Sequence, residues 1–243
     1  MVLHYMGHSG MLVRSQTADL LFDYYLTTSD GPGLAHGLVD DAVLCAQKPL
    51  YVFISHSHGD HMNPIVFTYI DGGRDVRYIV AGEAEHKVPS HLLNRTVVLQ
   101  PGMEYRDEHL LIRAYGSTDL GVSYYVEHED KRIFHAGDLN DWHWQEEVPA
   151  EEARGYTDAY LRELAIIKGG VDGLDLAMFP VDGRLGKGCY TGAEAFLKAI
   201  PTSVLAPMHF GDNYKSQDAL IARGPFGGTR IIRWNRRGET REF

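Results

Sequence analysis

The sequence predicts an α/β (α+β) protein in which β-sheets form the core and helices pack outside them. Short segments rich in β-branched and aromatic residues follow one another through the first half of the chain, a pattern typical of strands. Strand-like and helix-like segments alternate in the second half, which is the order expected when helices cover a sheet. No internal repeat, low-complexity segment or linker is visible, so we expect residues 1–243 to form a single domain.

Strands are predicted in the first half wherever an apolar run ends at turn residues. The clearest is LYVFIS at residues 50–55, a continuous apolar run that fits a strand buried on both faces. A short helix or turn is expected at VDDAVLCAQ, and EHEDKR is interpreted as a hairpin turn. The other strand candidates are LLFDYY, VRYIVAG, TVVLQPG, LLIRAYG, VSYYVEH and RIFHAGD.

Helices are predicted mainly in the second half. A charged, Glu-rich stretch between Asp141 and Lys168 has helical spacing in AYLRELAIIK, so we expect one helix preceded by a mobile loop. Two later helices, TGAEAFLKAI and SQDALIARG, each begin with a hydroxyl residue, and we predict Thr191 and Ser216 as their N-caps. The strands LDLAMFPVDG and SVLAPMHFG precede these two helices.

Composition limits the range of partners. The 33 acidic and 23 basic side chains give a formal net charge of −10, which repels phosphate backbones, so we expect no nucleic acid partner. The two cysteines form no CxxC pattern, which argues against a disulfide framework. The N-terminal residues do not resemble a signal peptide, and no apolar run reaches about 18 residues. We therefore expect a cytoplasmic protein without a membrane partner, in an oligomeric state that the sequence leaves open.

The segment HSHGDH at residues 56–61 concentrates metal-ligating side chains directly after the predicted strand at residues 50–55. Alternation along an extended chain places His56 and His58 on one face, where two imidazole nitrogens can bind one ion. Asp60 and His61 follow at once. Three histidines and one aspartate need polar partners when buried, and a chance grouping or a surface loop is the alternative interpretation.

Two further donors stand at predicted strand ends. Asp138 closes RIFHAGD, and His209 follows the apolar part of SVLAPMHFG, each beside a glycine. Each residue alone is also compatible with a turn or capping role. Together with HSHGDH they predict a site in which distant loops bind metal and leave a coordination position open for water.

These motifs resemble those of the metallo-β-lactamase-fold superfamily, and the resemblance spans nearly the whole chain. GHSGMLV and LLFD also resemble the opening strands of its cytoplasmic branch, which includes an ascorbate-phosphate lactonase. The resemblance implies a four-layer αββα sandwich. The residues that carry it, in the order HxHxDH, GD and strand-end histidine, are His56, His58, Asp60, His61, Asp138 and His209.

The resemblance also implies a two-metal centre and a hydrolytic reaction. A metal-bound hydroxide attacks a small, anionic metabolite such as a lactone, ester or phosphoester, with Asp60 as the candidate catalytic residue. Zinc is the expected metal because His58 keeps an imidazole where diiron members have a glutamate. One or two ions, and manganese, iron or nickel, remain open. The implied ligands are His56 and His58 for the first ion, Asp60, His61 and His209 for the second, and Asp138 as the bridge.

One departure concerns the third histidine that family members supply to the first ion from a GHTxG-like turn. Ser117 stands at that position, in the stretch from Gly116 to Gly121. Asp119 is the candidate substitute, and capping a turn is its other role. A weakened first position makes a catalytically decayed metal-binding sensor or pathway protein the alternative function. A nuclease is a third candidate, against which the net charge counts.

Several residues near these motifs are candidates for supporting roles. His8 in MGHSG and Asp23 in LLFD are interpreted as partners that orient ligand rings or loops, with a core turn role as the alternative. Residues 142–144, Trp-His-Trp, are expected either to line the substrate pocket or to anchor the Glu-rich loop. Arg184 and Lys187 are candidate partners for a substrate carboxylate or phosphate, or else solvated loop charges.

Overall fold

Two seven-stranded sheets packed face to face form the interior of the computed structural model, which describes residues 1–243. The strands of the first sheet are β1 (Val2–Gly7), β2 (Gly10–Arg14), β3 (Asp19–Phe22), β4 (Leu50–Ile54), β5 (Val76–Ala81), β6 (Thr96–Leu99) and β14 (Thr240–Glu242). Their order is β14-β1-β2-β3-β4-β5-β6. Pairs from β14 to β3 are antiparallel, and pairs from β3 to β6 are parallel.

The second sheet mirrors this division. Its strands are β7 (Glu104–Arg106), β8 (Leu110–Tyr115), β9 (Ser123–His128), β10 (Lys131–His135), β11 (Leu174–Pro180), β12 (Thr202–Met208) and β13 (Arg230–Ile231). Their order is β13-β12-β11-β10-β9-β8-β7. Pairs from β13 to β10 are parallel, and pairs from β10 to β7 are antiparallel. The hairpin predicted at EHEDKR joins β9 to β10.

Helices cover the outer face of each sheet, which confirms the expected four-layer αββα sandwich. On the second sheet α2 (Ala150–Gly170) contacts β8, and α3 (Thr191–Ala199) contacts β11, while α4 (Ser216–Ile221) follows β12. The layer on the first sheet contains α1 (Asp41–Leu44) and consists otherwise of 3₁₀ helices. No helix combines the length and apolar character needed to cross a bilayer. The 3₁₀ helices are Leu34–His36, Pro64–Gly72, Gly82–Lys87, Ser90–Arg95 and Gly183–Gly188.

Strand β4 shows how the sequence builds both interfaces of its sheet. Tyr51 and Phe53 belong to the core between the sheets, whereas Leu50, Val52 and Ile54 belong to the core under the outer helices. All five are buried, as predicted from their continuous apolar run. Burying each such side chain contributes about 1.5–3 kcal/mol. This anchoring fixes the end of β4, where HSHGDH begins.

The helix starts differ from the predictions. Thr191 and Ser216 are not N-caps but the first residues of α3 and α4, because Tyr190 and Lys215 before them already have helical backbone angles. The Thr191 hydroxyl instead donates a hydrogen bond to a backbone carbonyl oxygen at 3.0 Å. The predicted loop before AYLRELAIIK is also shorter than expected, since α2 begins at Ala150 and includes most of the Glu-rich stretch.

The predicted ligands collect at one edge of the sandwich because parallel strands end there. β3, β4 and β5 run parallel in the first sheet, and β10, β11 and β12 run parallel in the second. His56 follows β4, Asp138 follows β10, and His209 follows β12. The carboxyl ends of parallel strands are the usual place for a ligand site in such sheets.

Gly121 lets the loop between β8 and β9 press against the loop that carries His56. The Val122 amide donates to the Ser55 carbonyl oxygen at 3.0 Å. Gly121 has a φ of +74°, and a Cβ atom there would overlap that carbonyl oxygen and lie 2.6 Å from His56 Cβ. Only glycine fits this close approach.

Replacing Gly121 with alanine is expected to lower the free energy of unfolding by about 2–4 kcal/mol, through overlap with Ser55 and the cost of a positive φ. Gly102→Ala is the matched control, since Gly102 has a φ of +86° and nothing lies within 4 Å of its Cβ position. That variant should lose only about 1–2 kcal/mol. Chemical denaturation measures both losses, and equal losses would contradict the packing argument.

Candidate metal centre

Four buried side chains meet around the carboxylate of Asp138. His61 Nε2 lies 3.0 Å from Asp138 Oδ1, and His209 Nε2 lies 3.1 Å from the same oxygen. His56 Nε2 lies 3.4 Å from the other carboxylate oxygen, Oδ2. All four side chains are buried. One carboxylate therefore faces three imidazole nitrogens, with its two oxygens toward different histidines.

The atoms at the centre of this group lack hydrogen-bond partners. The Nε2 atoms of His56, His61 and His209 and the Oδ1 atom of Asp138 are all buried and unpaired. An unpaired polar group in a protein interior costs about 1–3 kcal/mol. A transition metal ion accepts lone pairs from imidazole nitrogens and carboxylate oxygens together. The donor set therefore fits such an ion.

His56 and His61 are oriented by a chain of hydrogen bonds that ends on Asp23. Ser55 Oγ donates to Asp23 Oδ2 at 2.5 Å and therefore accepts from His56 Nδ1 at 2.9 Å. His61 Nδ1 donates to the same Asp23 oxygen at 2.8 Å. Both rings thus carry a proton on Nδ1 and direct Nε2 toward Asp138.

His209 is oriented in the same way by a second carboxylate. Its Nδ1 donates to Asp182 Oδ2 at 2.9 Å, and Arg184 Nη2 donates to that oxygen at 2.6 Å. Burial raises the pKa of Asp182, but the hydrogen bonds from His209 and Arg184 lower it to about 2. The carboxylate is therefore ionised at neutral pH and keeps the His209 proton on Nδ1.

The other two predicted ligands lie on the solvent side. His58 is exposed, its ring centroid lies 4.6 Å from that of His56, and its nitrogen lies close to the donor atoms of His56 and Asp138. The side chain of Asp60 is 46% exposed and lies close to the donor nitrogens of His61 and His209. The six predicted ligand residues are thus brought together in two adjacent sets, both in contact with Asp138.

Two carboxylates favour a second proton on His61. Burial lowers the pKa of His61, but the close approach of the Asp138 carboxylate, the hydrogen bond to Asp23 and the negative charge of both carboxylates raise it to about 10. Burial likewise raises the pKa of Asp138, yet His209, His56 and His61 together hold it well below its usual range. A metal ion and this proton compete for the same Nε2 lone pair, so ion binding releases a proton.

The turn that should supply a third histidine brings no ligand to the group. Ser117 and Asp119 belong to none of the converging sets of donor atoms, and Asp119 is exposed. The Asp119 amide lies 3.3 Å from Ser117 Oγ and donates to it, a contact typical of a turn. Thr118 Oγ1 donates to the Asn140 carbonyl oxygen at 2.6 Å, which ties the turn to the loop after β10.

Residues 142–144 divide between the two roles expected of them. Trp142 and His143 are buried, and their ring N–H groups lie within hydrogen-bond distance of backbone carbonyl oxygens, so both anchor the loop. Trp144 is only partly buried and stacks on Trp142 at 5.9 Å, with the Arg184 guanidinium 6.0 Å from its ring centroid. Trp144 and Arg184 therefore lie side by side, next to Trp142 and Asp182, which both contact His209.

Three supporting residues were missed by the sequence reasoning: Ser55, Glu83 and Asp182. Glu83 accepts hydrogen bonds from the Ser57 amide at 2.6 Å and the Ser57 hydroxyl at 2.9 Å, and so holds the backbone between two predicted ligands, His56 and His58. Each of the three follows the end of a parallel strand, β4, β5 or β11, by one or two residues. A polar residue one or two positions after a predicted buried strand is therefore a signal that is visible in the sequence.

The chain is similar to proteins described as metal-dependent hydrolases. It is 26% identical over 222 residues to a UPF0173 metal-dependent hydrolase from Thermus thermophilus, across 86% of this chain and 83% of that protein. Igni18, a metallo hydrolase from Ignicoccus hospitalis, has a TM-score of 0.67 at 18% identity, across 100% of this chain and 98% of that one.

A third likeness is to the metallo-β-lactamase fold protein YhfI from Bacillus subtilis. It has a TM-score of 0.59 at 13% identity, across 98% of this chain and 97% of that one. No protein-family model matches the chain. The structural likenesses agree on one fold over nearly the full length.

Asp23→Asn is expected to weaken metal affinity about 10–100-fold without removing any of the six candidate ligands. Asparagine keeps a single acceptor oxygen, so it cannot accept both from the Ser55 amide and from His61 Nδ1. When the oxygen stays on the Ser55 amide, the asparagine N–H faces His61 Nδ1, favours the tautomer with its proton on Nε2 and blocks that donor. Competition with a chelator measures the affinity. Asp175→Asn makes the same change at the start of β11, outside the candidate centre, and is the control. Equal affinities for the two variants would contradict the role of Asp23.

Proposed function

Since the chain has the metallo-β-lactamase fold that its motifs predict, we propose that it is a metal-dependent hydrolase. The observation that carries the proposal is the convergence of three buried, unpaired imidazole nitrogens on the Asp138 carboxylate. Three imidazole nitrogens and one carboxylate in the interior suit a cation, which would displace the second proton of His61. The proposed ligands are His56, His58, Asp60, His61, Asp138 and His209.

The two sets of donors are unequal, and we propose that they hold ions with unequal affinity. His56, His58 and Asp138 offer three donors to the first ion. The second set offers Asp60, His61 and His209, with Asp138 also in contact. More donors and deeper burial favour the second position, which should fill first. Imidazole and carboxylate ligands together suit zinc.

A divalent cation in this centre would supply Lewis-acid polarisation of the substrate and acidify water. The residues of the chain hold the donor atoms in place and keep one carboxylate, that of Asp60, near solvent. His8 holds the pKa of Asp60 well below its ordinary value, so this half-exposed carboxylate is ionised at neutral pH. We propose that Asp60 contacts the reacting water.

The proposed substrate is a small anionic molecule such as a lactone, ester or phosphoester. Arg184 binds Asp182 through Nε and Nη2, which leaves Nη1 available, and its side chain is 62% exposed. A guanidinium group binds carboxylates and phosphates through paired hydrogen bonds. Trp144 beside it offers a flat apolar surface for the organic part of the substrate. The two free thiols, Cys45 and Cys189, agree with the proposed cytoplasmic location.

Zinc-loaded protein is expected to hydrolyse at least one class in a panel of lactones, phosphodiesters, thioesters and anionic esters. The double variant His61→Ala/His209→Ala should lower kcat/KM by more than about 100-fold, since loss of ligands exceeds the usual effect of losing an outer partner. His91→Ala, at an exposed histidine outside the centre, is the control. Metal titration should show one tightly and one weakly bound ion per chain.

Three results would decide against this function. Absence of bound transition metal, or unchanged hydrolysis in the double variant, would exclude the proposed centre. Tight metal binding without hydrolysis of any compound in the panel would favour the alternative of a metal-binding sensor. The missing third histidine is the observation behind that alternative.

Arg184→Gln is expected to raise KM about tenfold for an anionic substrate, the loss of one charge-assisted contact. A neutral ester of the same acid should be affected less, so the ratio of the two KM values separates anion binding from any disturbance of Asp182. Lys168→Gln removes a positive charge at an exposed position near the end of α2 and is the control. An unchanged KM ratio in Arg184→Gln would remove Arg184 from substrate binding.

A further inference from the structure

His8 occupies the tight turn between β1 and β2 in a conformation that few residues adopt. Its φ is +52°, in the left-handed region that costs a residue other than glycine about 1–2 kcal/mol. Two backbone hydrogen bonds hold it there: its amide donates to Tyr5 Oη at 3.0 Å, and its carbonyl oxygen accepts from the His209 amide at 3.2 Å. The fold therefore maintains a strained His8 directly beside a proposed ligand.

The proton of the neutral His8 ring is located by its neighbours. The Gly211 amide donates to His8 Nδ1 at 3.2 Å, so this nitrogen bears the lone pair and Nε2 bears the proton. His8 Nε2 is buried, has no hydrogen-bond partner and lies 3.5 Å from Asp60 Oδ2. The His8 ring centroid lies 4.1 Å from that of His209, and a His8 ring nitrogen lies within 4.8 Å of donor atoms of Asp60, His61 and His209.

This arrangement is the reverse of that found at the three buried ligands. His56, His61 and His209 each keep a proton on Nδ1, through Ser55, Asp23 and Asp182, and direct Nε2 toward Asp138, where a metal ion would displace any second proton. His8 presents an N–H group instead. Proximity alone would group His8 with His61, His209 and Asp60 as a fourth ligand to one ion. The hydrogen-bond pattern argues against that grouping, since an N–H cannot bind a cation.

We propose that His8 is a positioning residue that donates a hydrogen bond from Nε2 to Asp60 and does not bind metal itself. The inference rests on the proposed function, because it assigns Asp60 to a metal centre. A small rotation of the half-exposed Asp60 side chain closes the distance of 3.5 Å to hydrogen-bond length. Asp60 Oδ2 is then occupied by His8, and Oδ1 is directed to the second ion. An exposed carboxylate that would otherwise rotate freely is held in one orientation.

The test compares three substitutions of His8 by metal affinity and by the visible spectrum of bound Co²⁺. His8→Leu removes the donor, whereas His8→Gln keeps an amide N–H at about the reach of Nε2. His8→Asn accepts the positive φ more readily than most residues but is too short to reach Asp60, so it separates backbone strain from donation. We expect about 10–100-fold weaker Co²⁺ binding in the leucine and asparagine variants, and near wild-type binding and spectrum in the glutamine variant.

A double-mutant cycle then asks whether His8 acts through Asp60. His8→Leu should weaken Co²⁺ binding in the wild-type background but change it less than about twofold in Asp60→Ala, because the partner of the hydrogen bond is gone. Thermal unfolding of each variant checks that the fold persists, and His8→Gln remains informative should the leucine variant fail to fold.

Four results would overturn this inference. Equal loss of affinity in His8→Gln and His8→Leu, with a changed Co²⁺ spectrum in both, would identify His8 as a ligand. Wild-type affinity in His8→Leu, or an undiminished effect in the Asp60→Ala background, would show that His8 does not position Asp60. Wild-type protein that binds no metal would overturn the proposed function itself and this inference with it, so the two failures are distinguishable.

Discussion

The hydrogen bonds to the buried Asp23 carboxylate are the interactions on which the rest of the candidate centre depends. This carboxylate lies directly after β3, is almost completely buried and accepts three hydrogen bonds: from the Ser55 amide, the Ser55 hydroxyl and His61 Nδ1. The Asp23 amide also donates to the carbonyl oxygen of Phe53 in β4. Burial raises the pKa of Asp23, but the charges of His135, His61 and His56 outweigh burial and lower it. One buried anion thereby joins two strand ends and sets the tautomers of two proposed ligands.

The second sheet repeats this arrangement with Asp182 and His209, so the two halves of the sandwich each contribute a carboxylate and the imidazole that it orients. Both carboxylates stand just past parallel strands, where loop backbones leave the ladder and can bend sharply. Four residues at or beside the centre have a positive φ, a conformation that persists only when neighbouring contacts enforce it. These are His8, Asp23, Trp144 and His209. The strain concentrates where the donors converge.

The strands could be predicted from the sequence because apolar runs are local patterns, whereas the sandwich and the six candidate donors were implied by the resemblance that HxHxDH, GD and the strand-end histidine carry. Thr191 and Ser216 were wrongly predicted as caps because the conformation of the preceding residue is set by tertiary packing. The roles of Ser55, Glu83 and Asp182 are equally non-local, since each acts through a partner that the sequence does not identify. A histidine in the sequence also carries no record of its tautomer, which depends on whether Nδ1 donates or accepts in the folded chain.

The turn at residues 116–121 is held on both sides, and this limits what can replace the missing histidine. Gly121 and Val122 press against Ser55, while Thr118 exchanges hydrogen bonds with the backbone of Asn140. Asp119 could move inward only by breaking these contacts, whose amide and hydroxyl groups would then need new partners. An ion bound by His56, His58 and Asp138 would therefore have three protein donors. Because His58 is exposed, a substrate atom could approach such an ion without displacing any of these donors. The absence of a histidine at Ser117 would thus leave the first proposed position more open than the second, where His61 and His209 are buried.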